Sequence, residues 1–129
     1  MFRHLASALV MTAAAVCISA PVAHATQFLT AIADIPLAAG LVEKPEPMIF
    51  ESEQGRVVRV SAEGSVDGAA IASFYAQTLP ALGWKPAQDG SYERENERLT
   101  IRIREQANNA PVRVEFELVV KLASTRLAD

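Results

Sequence analysis

The sequence predicts a two-layer α+β domain, an antiparallel sheet of about five to six strands with one amphipathic helix packed on one face. Three observations predict it. Residues 98–105 and 112–121 alternate apolar and charged side chains with a period of two, and residues 71–82 carry apolar side chains at spacings of three and four. Asp89-Gly90 marks a tight turn between two short extended runs. A sheet with one apolar face and a helix with one apolar stripe bury those surfaces against each other.

Residues 1–25 read as a secretory signal peptide. Arg3 supplies the positive n-region, residues 5–20 form an uncharged apolar run, and Ala23-His24-Ala25 is a small-x-small cleavage site behind Pro21. The run is shorter than the roughly 20 residues of a spanning helix. Cleavage after Ala25 would leave 104 residues, the size of one domain, with a periplasmic address and no membrane span. The leader holds both histidines, His4 and His24, and the one cysteine, Cys17. Cys17 follows Val16 inside the apolar run, where a lipidation site would want a small residue.

Removal of that leader would strip the mature chain of imidazole and thiol. Ser-His-Asp and Cys-His catalysis then lack a base, and zinc sites of the usual kind lack ligands. The clustered Asp and Asn loop of an all-oxygen calcium site is absent from the sequence, so neither a metal nor a cofactor is expected. The mature chain carries 11 Lys and Arg against 15 Asp and Glu, a net charge of −4. That balance argues against nucleic acid and anionic lipid as partners. Without disulfides, stability must come from an apolar core.

Residues 26–47 form an N-terminal arm, followed by the α+β domain over residues 48–129. Phe28, Leu29 and Ile32 have helical spacing, but Pro36 interrupts it, and Pro45 and Pro47 favour an extended passage. Residues 48–51 read as a short strand, 52–55 as a turn, and 56–63 as a strand with Val58, Val60 and Ala62 on one face. Ser65 is the expected helix N-cap, with Asp67 in the first turn. Ile71, Phe74, Tyr75, Thr78, Leu79 and Leu82 make the core-facing stripe. Gly83 fits the left-handed C′ position, which makes Trp84 the C″ residue packing back on Leu79. Pro80 removes the helix hydrogen bond to Ala76.

Beyond the helix, Asp89-Gly90 joins residues 84–88 to 91–95, and Asn96-Glu97 turns the chain again. Leu99, Ile101 and Ile103 face inward on the next strand, as do Val112, Val114, Phe116, Leu118 and Val120 on the last. Charge selects their register: Arg104 opposite Glu115 and Arg102 opposite Glu117 avoids placing Arg104 against Arg113. The outer face, with Arg59, Arg102, Arg104, Glu115 and Glu117, is expected to be solvated.

Asp34-Ile35-Pro36-Leu37 with Gly40-Leu41, Phe74-Tyr75 with Leu79-Pro80-Ala81-Leu82-Gly83-Trp84, and Tyr92-Glu93-Arg94-Glu95 with Leu99 and Ile101 together resemble a set of small, uncharacterised exported proteins of Gram-negative bacteria. Those proteins often have Met-Pro where this chain has Ala38-Ala39. The resemblance implies export and an α+β fold, and supplies no catalytic residue.

Two functional readings follow. The first is a non-catalytic periplasmic domain that binds a protein partner or supports an envelope assembly. Its candidate contacts are Ile35, Pro36, Leu37 and Leu41 of the arm, an apolar stretch without strand or helix period that must either lie across its own domain or cover a partner, together with an exposed sheet edge. The second is a carboxylate-dependent envelope hydrolase using Glu93 and Glu95, whose neighbours Arg94 and Arg98 equally suit a salt-bridged, solvated turn.

Overall fold

The structure is a computed structural model that describes residues 26–122. The leader at residues 1–25, with His4, Cys17 and His24, lies outside the described residues. In chain order the elements are β1 (Gln27–Phe28), β2 (Pro36–Leu37), β3 (Val42–Glu43), β4 (Met48–Ser52), β5 (Gly55–Gly64), α1 (Gly68–Ala81), β6 (Lys85–Pro86), β7 (Tyr92–Arg94), β8 (Glu97–Arg104) and β9 (Val112–Lys121). β1 and β2 pair in a small sheet of their own. The others form a seven-stranded antiparallel sheet in the order β3-β5-β9-β8-β7-β6, with β4 also pairing β5.

The path explains the order. From β5 the chain crosses one face as α1, reaches the far edge at β6, and returns strand by strand until β9 closes on β5. β3 and β4 share the remaining side of β5: β4 covers its first half, from Gly55 to Arg59, and β3 its end at Ala62 and Glu63. The sheet therefore has more strands than the alternation predicts, because the arm contributes β3.

The α+β architecture is the predicted one, with α1 setting Ile71, Tyr75 and Leu79 against Val58, Val60, Ala62, Leu99, Val114 and Phe116. The arm is part of the same core. Leu29, Ile32, Ile35, Leu37, Ala38 and Leu41 are all buried in it.

Tyr75 fastens the arm to the helix. Its ring packs edge-on against Phe116, with centroids 5.5 Å apart, and its hydroxyl donates to the Pro36 carbonyl (2.8 Å) and accepts from the Ala38 N–H (3.1 Å). Both backbone groups are buried, so Tyr75→Phe should cost about 1–3 kcal/mol by orphaning them. Burial pushes the hydroxyl pKa from 10.0 up to about 12, against the opposing pull of the Ala38 hydrogen bond. The unfolded chain loses this proton near pH 10, whereas the folded chain holds it until about 12. The contribution is therefore whole below pH 10 and is lost as pH rises to about 12. Urea midpoints of the unmodified protein and Tyr75→Phe should converge across that window; parallel profiles would contradict the buried hydroxyl.

The helix ends divide in their agreement with the sequence. At the C-terminus, Gly83 has φ 89°, its N–H donates to Pro80 O, and the Trp84 N–H donates to Leu79 O (3.1 Å). That is the predicted Schellman ending, and Leu82 as C-cap is partly exposed rather than core. The helix also continues past Pro80 to Ala81. At the N-terminus the cap is Asp67, not Ser65. Asp67 is extended, at φ −67° and ψ 129°, and its carboxylate accepts from the Ala69 N–H (3.1 Å). The two residues before it finish the turn out of β5, and Val66 packs over Gly40 of the arm.

The β8–β9 register differs from the charge-based expectation by two residues. Arg104 lies opposite Arg113, and Arg102 opposite Glu115. The third strand offsets the like-charge contact. Glu63 of β5, opposite Arg113 on its other side, accepts from the Arg113 Nε (3.0 Å) and Nη2 (2.8 Å), and Lys44 Nζ is 3.0 Å from the same carboxylate. These partners, Lys44 first, hold the Glu63 carboxyl below the ordinary carboxylate range. Arg104 reaches diagonally to Glu115 at 3.6 Å. Glu63 lies outside the β8–β9 pair, so the charges of those two strands alone cannot select this register. The turn between β7 and β8 is likewise one residue earlier than expected, at Glu95-Asn96, with Glu95 at φ 54°.

Candidate functional site

The arm residues named from the sequence do not form a surface. Ile35, Pro36, Leu37 and Leu41 are all buried beneath the helix and sheet, so none can touch a partner while the domain is closed. An apolar segment without period is buried here through irregular backbone, held by the Tyr75 hydroxyl and by an ion pair between Asp34 and Arg94. Arg94 also bonds Glu97 (3.2 Å) and lies 4.3 Å over the Trp84 ring. Burial opposes its charge, but the bonds to Asp34 and Glu97 outweigh that and hold its pKa above the ordinary arginine value.

The carboxylates of the β7–β8 hairpin are divided between faces. Glu93 points outward and accepts from Arg98 Nη2 (2.7 Å), while Glu97 points inward to Arg94. Glu95 occupies the turn between them, at the rim of a shallow depression of about 230 Å³. The arginines engage two of the three carboxylates. Among the described residues, no group of three or more His, Cys, Asp or Glu is placed to hold a metal ion, and no helix is long and apolar enough to cross a membrane.

The outer sheet face holds a groove of about 380 Å³ lined by Lys44, Arg59, Arg102, Glu115 and Glu117 among others. Arg59 and Glu117 pair at 2.6 Å, and cations and anions alternate along the face. Exposed pairs of this kind contribute about 0–1 kcal/mol each and mark no ligand sign preference.

The two edges of the main sheet are unlike. β6 ends the far side with two residues, Lys85 and Pro86, a short and blunted edge. On the near side, all five residues of β4 are exposed, with Met48 at 53%, Ile49 at 46% and Phe50 at 53%. The backbone of β4 is also open. The two-residue loop Glu53-Gln54 makes Ser52 and Gly55 a hydrogen-bonded pair, so bonding to β5 alternates through Phe50 and Met48. The N–H and C=O groups of Ile49 and Glu51 therefore point away from β5, and no other strand among the described residues pairs with β4.

Both faces beside this edge are apolar. On the outer face, Phe50, Val57 and Val119 lie side by side and line a shallow groove of about 240 Å³. On the inner face, Ile49 borders a second open groove with Ala31, Pro45 and Pro47. An exposed edge is expected from the sequence, but its position is not. The available signal was Met48-Ile49-Phe50, three consecutive apolar residues where a half-buried strand would alternate.

No family model, curated protein or solved structure matches this chain, so the functional reading rests on this geometry.

Proposed function

We propose that this protein is a non-catalytic binding domain of the cell envelope, exported with removal of residues 1–25, that takes an extended partner segment onto the free edge of β4. The observation that carries the reading is the edge itself: unpaired backbone donors and acceptors at Ile49 and Glu51, with Met48, Ile49 and Phe50 half-exposed around them. A strand added there gains main-chain hydrogen bonds from the edge and side-chain contacts on both faces. Natural sheets ordinarily protect an edge of this composition, as β6 is protected.

The test is a photo-crosslinking side chain placed at Phe50 in the full chain expressed in a Gram-negative cell, with Gln77 on the exposed helix face as control. A discrete adduct is expected at Phe50, with none at Gln77, and it should be lost when Glu51→Pro removes an edge N–H. The same preparation should show a mature N-terminus at Thr26 by mass spectrometry. Equal labelling at both positions, or an adduct indifferent to Glu51→Pro, would refute the edge as the contact.

A further inference from the structure

We infer that the occupant of the β4 edge is a second copy of this chain, paired antiparallel about a two-fold axis through Phe50. This rests on the reading of β4 as a docking edge and adds the identity of the partner. The pattern of backbone groups sets the register. Only Ile49 and Glu51 direct both N–H and C=O outward within β4. Antiparallel pairing centred on Phe50 sets Ile49 of one copy against Glu51 of the other, and the reverse, so both residues exchange both bonds. Centring on Ile49 instead would set Glu51 against Pro47, which has no N–H to give.

Side chains agree with the same centre. Directly opposed residues in an antiparallel pair share a face, so this register continues the sheet with both helices on one side. The two Phe50 rings then meet on the outer face, each beside its own Val57, and each Ile49 lies next to the aliphatic part of the other copy's Glu51.

Charge does not oppose this centre. At the hairpin tip Glu51 pairs with Arg56 (3.5 Å), and beside the start of β4 Lys44 is held by Glu63 and Arg59 by Glu117, so neither end of the edge presents a block of one sign.

The unmodified full-chain product, purified from the envelope fraction, should show twice the mass of one chain by light scattering at micromolar concentration. Ile49→Pro should halve that mass while keeping the native circular dichroism spectrum, because the N–H it removes plays no part in the β4–β5 ladder, and its urea midpoint should equal that of the unmodified protein diluted until it is monomeric. A second measurement does not depend on that variant folding. In a Cys17→Ser background, Phe50→Cys should form a disulfide-linked dimer under mild oxidation, since a central non-hydrogen-bonded pair has Cα atoms about 4.5 Å apart, within disulfide reach. Ser52→Cys should not, because in this register it lies four residues along from its own copy. A single-chain mass for the unmodified protein, or linking through Ser52→Cys as readily as through Phe50→Cys, would overturn the dimer. If that single-chain protein still gives the Phe50 adduct with a different protein in cells, the docking edge stands and only the second copy falls; without either, both fall.

Discussion

Trp84→Ala is expected to remove about 3–5 kcal/mol of stability, the usual cost of truncating a buried aromatic side chain. That is a large share of the roughly 5–15 kcal/mol that holds an ordinary domain together. Trp84 is 1% exposed and follows Gly83 at the end of α1, where the Schellman bonds aim its ring into the core. Its loss would leave a cavity and deprive the Arg94 guanidinium of the ring it stacks on, a contact worth about 0.5–1 kcal/mol. Among the described residues the buried indole Nε1 finds no hydrogen-bond partner. Trp84→Phe removes that orphan donor, whose burial costs about 1–3 kcal/mol, while keeping much of the ring volume. Phe should therefore cost less than half of what Ala costs. Circular dichroism in urea is the suitable measurement, because Trp84 is the only tryptophan and its fluorescence disappears in both variants. Equal losses for Phe and Ala would mean that the indole nitrogen is satisfied or that ring volume contributes little.

Trp84 also shows where the sequence can be read and where it cannot. The Leu79, Gly83 and Trp84 spacing is local, and a helix ending in a left-handed glycine is decided by residues within one turn, so that ending is legible. So are β5, β8 and β9, whose period-two patterns report which face is buried. The β8–β9 register is not legible. In that register Arg104 faces Arg113, whose charge is met from β5 by Glu63, 50 residues away, and no pairwise comparison of β8 with β9 contains that contact.

Burial of the arm is illegible for a different reason. Ile35, Pro36, Leu37 and Leu41 follow neither period, because irregular backbone carries them and the Tyr75 hydroxyl and Arg94 hold that backbone from distant parts of the chain. A sequence pattern shows that such residues are apolar, but not whether their own domain covers them. The candidate site is half legible on the same grounds. Met48-Ile49-Phe50 breaks alternation in plain view, whereas the open edge depends on β3 and β4 dividing one side of β5 between them.

Gly64→Ala tests that coupling of arm to sheet, and the expected loss is at or above the ~3 kcal/mol upper end of ordinary overpacking. A Cβ at Gly64 would lie 2.1 Å from the carbonyl oxygen of Gly40 and 3.2 Å from the Leu41 Cα. Both neighbours are backbone, so no side-chain rotation relieves the contact. Either the end of β5 bends away from β9, or the arm lifts at Gly40 and draws Leu41 and Ala38 out of the core. The second course disturbs the bond from the Ala38 N–H to Tyr75, and protease should then cut within residues 38–44 under conditions where the unmodified protein stays whole. Gly68→Ala is the matched control. The atoms nearest its Cβ would all belong to the exposed Glu105 side chain, Oε1 at 2.7 Å and Cδ and Cγ at 3.3 Å, which can swing into solvent, and Ala favours the helix that begins there. A neutral or slightly raised urea midpoint is expected for Gly68→Ala, beside the large drop for Gly64→Ala. If Gly64→Ala were as stable as Gly68→Ala and equally resistant to protease, the close approach of the arm to the end of β5 would be wrong, and with it the placement of Leu41 in the core.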